Sequence, residues 1–152
     1  MKLHFFFALP LLLMLTSCLN SDNELDNSED IAYLEENAGK EGVTTTNSGL
    51  QYRVLTEGDG EAPVASSKVR VHYEGRFING DVFESTHEGD KQPAEFPVNG
   101  LISGFTEGLL LMKEGAVYEL VIPSQLAYGN TGQGAIYGGA TIIFEIELLE
   151  IL

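Results

Sequence analysis

From residue 50 onward, apolar and polar positions alternate in short stretches. Leu50, Tyr52 and Val54 share one face, with Gln51 and Arg53 on the other. Val69, Val71 and Tyr73 alternate likewise with Arg70, His72 and Glu74, and Tyr118, Leu120 and Ile122 with Val117, Glu119 and Val121. Ile142, Phe144, Ile146 and Leu148 mark one face of a last strand over 141–148, with Phe144 directed inward. A period of two is the signature of a half-buried strand. Gly58-Asp59-Gly60, Gly75 and Pro123 punctuate these runs, and Asn79-Gly80-Asp81 predicts a hairpin turn into Val82-Phe83. One segment has a different period. Ile102, Phe105, Leu109 and Met112 recur near every 3.6 residues, which predicts a helix with Ser103 as N-cap, Lys113 near its end and Gly115 as its stop. Strands around one short helix predict an α+β fold, an antiparallel sheet wrapped on that helix.

The first part of the chain carries a different pattern. Lys2 precedes an unbroken apolar run, Phe5 to Leu15, shorter than the roughly 20 residues that a membrane-spanning helix needs. A basic start, a short apolar run and small residues predict a secretory signal peptide over 1–17. The run ends Leu15-Thr16-Ser17-Cys18, which resembles a bacterial lipobox and implies lipid on Cys18. Residues 18–48 are rich in Asn, Asp, Glu, Ser and Thr. They are expected to form an acidic flexible tether, because such a stretch buries too little apolar surface to offset its ordering entropy. Within it, Ile31 to Asn37 is expected to form one or two helical turns with Asp30 as N-cap. Residues 49–152 are left as the folded domain.

The net charge of −15 argues against sequence-independent nucleic-acid binding and against electrostatic docking on anionic lipid. Cys18 is the single cysteine, so an internal disulfide is excluded. With His4, His72 and His87 as the only histidines, a structural zinc site is not expected. His72 alternates with inward residues and is expected to face solvent. The sequence has no phosphate-binding glycine loop, and the reading calls for no cofactor.

Several segments follow one another in a recognisable order: Val71-His72-Tyr73-Glu74-Gly75, Gly80-Asp81-Val82-Phe83-Glu84-Ser85, and Phe96 to Phe105. They continue with Glu107-Gly108-Leu109, Met112-Lys113-Glu114-Gly115, Leu126-Ala127-Tyr128-Gly129 and Ala140 to Leu149. Together they resemble the FKBP-type peptidyl-prolyl cis-trans isomerases across nearly all of 49–152. The resemblance implies a twisted antiparallel sheet around a short α-helix, with an apolar pocket for the proline ring of a peptide. It implies catalytic roles for Tyr128, Phe83, Glu84 and Phe144, with the Tyr128 hydroxyl meeting a substrate carbonyl. It implies substrate binding by Tyr73, Phe96, Leu101, Ile102, Phe105 and Ile136. Among these, Tyr73, Phe83 and Phe144 are expected as walls, Phe105 as the floor, the Ile102 N–H as a backbone donor and Ile136 as rim. Taken singly, each aromatic also reads as an ordinary core residue.

The sequence departs from the family in four places. Glu84 stands for the usual Asp, Phe105 for the usual floor Trp, and Ala94 for a pocket aromatic of some members. The loop 131–139 lacks the usual Pro-Pro, and Tyr137-Gly138-Gly139 is expected to loosen the rim. The expected partners are proline-containing polypeptides, the membrane through the lipid anchor and macrolide inhibitors; no nucleic acid is expected. A monomer is expected, in the cell envelope of a bacterium. The competing readings are a non-catalytic FKBP-fold chaperone or scaffold of an envelope complex, and a tethered domain for adhesion or ligand capture.

Overall fold

The structure, a computed structural model, describes residues 26–152. The expected signal peptide and the Cys18 lipidation site lie outside the described residues. Seven strands form one antiparallel sheet: β1 (Val43–Thr45), β2 (Gln51–Thr56), β3 (Lys68–Phe77), β4 (Val82–Ser85), β5 (Ala94–Pro97), β6 (Val117–Ile122) and β7 (Ile142–Ile151). Their order is β1-β2-β6-β7-β3-β4, and β5 also pairs with β3. β5 takes residues 68–71 of β3 and β4 takes residues 74–76, so the two short strands share one edge.

β7 lies between β6 and β3, and its composition explains that place. Ile142, Ile143 and Phe144 are all buried, so neither face of the strand meets much water at that end. β3 shows the expected alternation, with Val69, Val71, Tyr73 and Gly75 inward. The strand does not close at Gly75, as its sequence suggested, but runs on to Phe77. β7 likewise extends three residues past Leu148. There the Ile151 N–H donates to the Glu114 carboxylate at 2.6 Å, and Ile151 pairs with Val69.

The helix α2 (Ser103–Leu111) packs on β6. Phe105 and Leu109 of α2, and Met112 just beyond it, are buried, as their spacing predicts. Gly104 and Gly108, one turn apart, set how close the helix comes. A Cβ on Gly104 would collide with Ile122, and one on Gly108 with Leu120, so bare backbone lies directly on the strand. Ile102, not Ser103, holds the N-cap position, and Ser103 is the first helical residue. The Thr106 hydroxyl instead ties the first turn to the Val98 carbonyl at 2.6 Å.

The largest difference from the sequence reading is a second helix, α1 (Ser28–Ala38), eleven residues long, followed by β1. Residues 28–45 are therefore not a free spacer: they pack on the domain. Asp30 is not the N-cap. It lies inside α1, 4% exposed as a residue, and Asn27 holds the cap position. Asn37, equally buried, donates to Gln51 at 2.8 Å, and Gln51 donates in turn to the Leu34 carbonyl at 2.8 Å. Polar side chains dock this helix, while Ile31 stays exposed.

Candidate active site

The site grows from one crowded point on the sheet. Gly75 of β3 sits opposite Phe144 of β7 and also opposite Glu84 of β4. A Cβ at Gly75 would stand 2.6 Å from the Phe144 ring and 2.7 Å from the Phe83 ring. Only glycine lets these two rings meet edge to face, at 5.7 Å. Phe105 rises from α2 beneath them, 4% exposed. Its ring meets Phe144 at 5.1 Å, Tyr73 at 6.0 Å and Phe96 at 6.3 Å, each in an edge-on arrangement. Such contacts contribute about 0.5–1.5 kcal/mol each beyond the area they bury, so the floor is rigid before any ligand arrives.

Above Phe105 is an open cavity of about 170 Å³ lined by Tyr73, Glu84, Phe96, Leu101, Phe105, Tyr128 and Phe144. Drug-sized ligands take cavities of about 300–1,000 Å³. This one therefore suits a single small ring with the rest of its ligand lying across the surface. Its polar atoms are two hydroxyls and one carboxylate. Burial first, then the Glu84 carboxylate, pushes the Tyr73 hydroxyl well above the ordinary phenol range. Burial and then Glu84 also push the Tyr128 hydroxyl up. Both hydroxyls stay neutral donors across physiological pH. Among the described residues the lining offers no serine, cysteine or histidine nucleophile.

The structure brings seven of the expected site residues into the lining; Phe83, Ile102 and Ile136 stand outside it. Phe83 backs the wall, between Phe144 and Phe77, the latter at 5.0 Å. Ile102 leads into α2, and its carbonyl accepts the Phe105 and Thr106 N–H groups at 3.1 Å. Ile136 packs into the core from the late loop. Ala94 packs on the core from β5, and Phe96, two residues on, supplies the ring on that side. His72 does not simply face solvent: its Nδ1 lies 3.0 Å from the Thr86 hydroxyl and its ring stacks on His87 at 4.9 Å.

The sequence reading did not single out Phe77, the close approach at Gly75, or the link from Asp30 to the late loop. That loop is tied, not loose. Gly139 donates to the Gly129 carbonyl at 2.8 Å, Gln133 and Ile136 form a bridge, and the Tyr137 hydroxyl donates to Asp30.

Comparison with known proteins agrees with this architecture. The family model described as FKBP-type peptidyl-prolyl cis-trans isomerase matches residues 59–149, from before β3 to near the end of β7. The chain belongs to the FKBP family. A second family model, described as the domain amino terminal to FKBP-type peptidyl-prolyl isomerase, matches residues 19–54, which takes in α1, β1 and most of β2. The FKBP-type 22 kDa peptidyl-prolyl cis-trans isomerase of Escherichia coli K12 is 54% identical over 126 residues, covering 82% of this chain and 61% of that protein. The crystal structure of FkpA from Escherichia coli superposes with a TM-score of 0.79 at 40% identity, over 82% of this chain and 58% of that one. A protein of Legionella longbeachae named outer membrane protein MIP is 39% identical over 133 residues, 87% of this chain and 57% of that protein. The chain thus spans about three-fifths of the length of these FKBP relatives. No helix among the described residues is long and apolar enough to cross a membrane.

Proposed function

We propose that this FKBP-family chain is a peptidyl-prolyl cis-trans isomerase acting on Xaa-Pro bonds of exported polypeptides. The observation that carries the reading is the floor: Phe105 held edge-on by Tyr73, Phe96 and Phe144 beneath a cavity sized for one ring. Rotation about a peptide bond is slow because amide resonance must be broken, a barrier of about 18–20 kcal/mol. A twisted amide carries less charge separation than a planar one. Water stabilises the planar form more, so an apolar pocket that excludes water favours the twisted form. Tyr128, kept neutral, is available as a donor to a carbonyl flanking the proline, while the Tyr73 hydroxyl faces the Glu84 carboxylate. No proton has to move, which suits a lining without an acid–base pair.

The chain is held in the bacterial cell envelope by lipid on Cys18 and works there as a monomer, without nucleic-acid partners. The lipobox-like ending of the apolar run and the relative named an outer membrane protein support the location. Macrolide inhibitors take the same pocket with one ring and lie otherwise on its rim.

The test is cis-to-trans isomerisation of a short Leu-Pro peptide by the full chain in detergent, beside a Tyr128→Phe, Phe144→Ala double variant. Acceleration that the folded double variant loses is the expected result. No acceleration by folded wild-type protein overturns the enzyme reading and leaves a binding module.

A further inference from the structure

Resting on the isomerase reading, we propose that Asp30 is a positioning residue for the proline pocket, through which α1 clamps the late loop and the start of β7. Asp30 is almost fully buried, and its carboxylate accepts two donors from one short segment. The Thr141 N–H reaches it at 2.6 Å, and the Tyr137 hydroxyl at 3.0 and 3.1 Å to its two oxygens. Thr141 is itself buried, so without Asp30 its N–H would be left unpaired away from water.

Both donors lead to the pocket. Thr141 precedes β7, three residues before the wall ring Phe144. The Tyr137 ring stacks on Phe77 at 5.6 Å, Phe77 meets Phe83 at 5.0 Å, and Phe83 meets Phe144 at 5.7 Å. A row of four rings thus runs from the carboxylate to the wall. Gly139 shows that the contact is tight. Its φ is +82°, and a Cβ there would stand 3.1 Å from the Asn27 side chain at the start of α1. Ile136, next to Tyr137 along the chain, packs into the core as part of the same loop. The amino-terminal segment therefore completes the catalytic unit; it is more than a spacer.

The test compares Asp30→Ala, Asp30→Asn and Tyr137→Phe in the full chain, with Asn37→Ala as control. Asn37→Ala cuts the other anchor of α1, at the end away from the loop. Three readouts are taken: thermal midpoint, KM against kcat on a Leu-Pro peptide, and the Ile136 methyl and Phe144 ring resonances. Asp30→Ala is expected to raise KM about tenfold with kcat within about twofold, the pattern of lost binding, and to shift both resonances. Asp30→Asn keeps one acceptor oxygen and is expected to recover part of the KM. Tyr137→Phe, at a more exposed position, covers the case in which Asp30→Ala does not fold, with a rise of about threefold. Asn37→Ala is expected to lower the thermal midpoint while KM and the two resonances hold. Unchanged KM and resonances in the folded Asp30 and Tyr137 variants, or an equal change in Asn37→Ala, overturn the proposal. If wild-type protein shows no turnover, the isomerase reading fails and the resonances alone decide the positioning role.

Discussion

Two concavities among the described residues differ in character, and the smaller is the better candidate. The aromatic pocket is about 170 Å³; a groove beside α1, on the far side of the Phe77–Phe83 layer, is about 570 Å³. The groove is lined by Asp26, Glu29, Asp30 and Asp81, with Phe77 and Tyr137 as its aromatic part. Carboxylates keep water, and a groove rich in them gains little by excluding it. The pocket has the opposite character: five rings and a leucine against two neutral hydroxyls and one carboxylate. A reaction whose barrier falls when an amide is desolvated and twisted needs the second environment. Volume ranks the two sites one way and chemistry ranks them the other.

Emptying the floor is the strongest way to break this contrast. Phe105→Ala removes the ring that three others lean on, and is expected to cost about 3–5 kcal/mol of stability with loss of turnover. Asp26→Asn and Glu29→Gln in the groove are expected to leave the urea midpoint and the turnover of a neutral peptide unchanged. Urea unfolding and peptide isomerisation on the same samples compare them. Equal effects from the two sites would erase the distinction drawn here. Crowding the pocket sharpens the contrast from the other direction. Gly75→Ala puts a Cβ against Phe83 and Phe144, and is expected to cost about 1–3 kcal/mol and to weaken peptide binding by displacing the wall. A normal unfolding midpoint with normal KM would mean that the two rings yield freely.

A subtler variant separates the polar rim from the apolar floor. Tyr128→Phe keeps the ring and removes the hydroxyl. It is expected to lower kcat/KM about tenfold, the worth of one hydrogen bond to substrate, with little change in unfolding midpoint. A loss confined to stability would assign Tyr128 to packing.

How far these features were legible depended on which side chains were buried. β3 and β7 could be read because Val69 and Val71 alternate with Arg70 and His72, and Phe144, Ile146 and Leu148 with Glu145 and Glu147, and α2 because Phe105 and Leu109 recur at helical spacing. α1 could not. It buries Asp30 and Asn37 and leaves Ile31 in water, the reverse of the pattern that marks a docked helix. β1 and β5, with three and four residues, are too short to establish a period of two. The pocket was legible as a set of residues only through family resemblance, since Tyr73, Phe96, Phe105 and Phe144 taken singly are ordinary core aromatics. The space at Gly75 was hidden because a glycine in a strand reads as its end. Here it is the gap that two rings fill.

The smallest expected effect concerns a feature the two concavities share, a hydroxyl held neutral beside a carboxylate. In the pocket it is Tyr73 near Glu84; in the groove it is Tyr137, which burial and then Asp30 push up to about 12. In the unfolded chain a tyrosine titrates near 10. Between about pH 10 and 12 the folded protein therefore binds more protons at Tyr137 than the unfolded chain does. Its contribution to stability is complete below about pH 10 and is lost as pH climbs through about 12. Because Tyr137 is 45% exposed, solvent screening makes the effect small. Urea midpoints measured from pH 8 to 12 are expected to fall less steeply in Tyr137→Phe than in wild type, although the variant starts lower for want of its bond to Asp30. Parallel curves would mean that the groove holds Tyr137 no more firmly in its neutral form than water does, and the resemblance between the two sites would end at geometry.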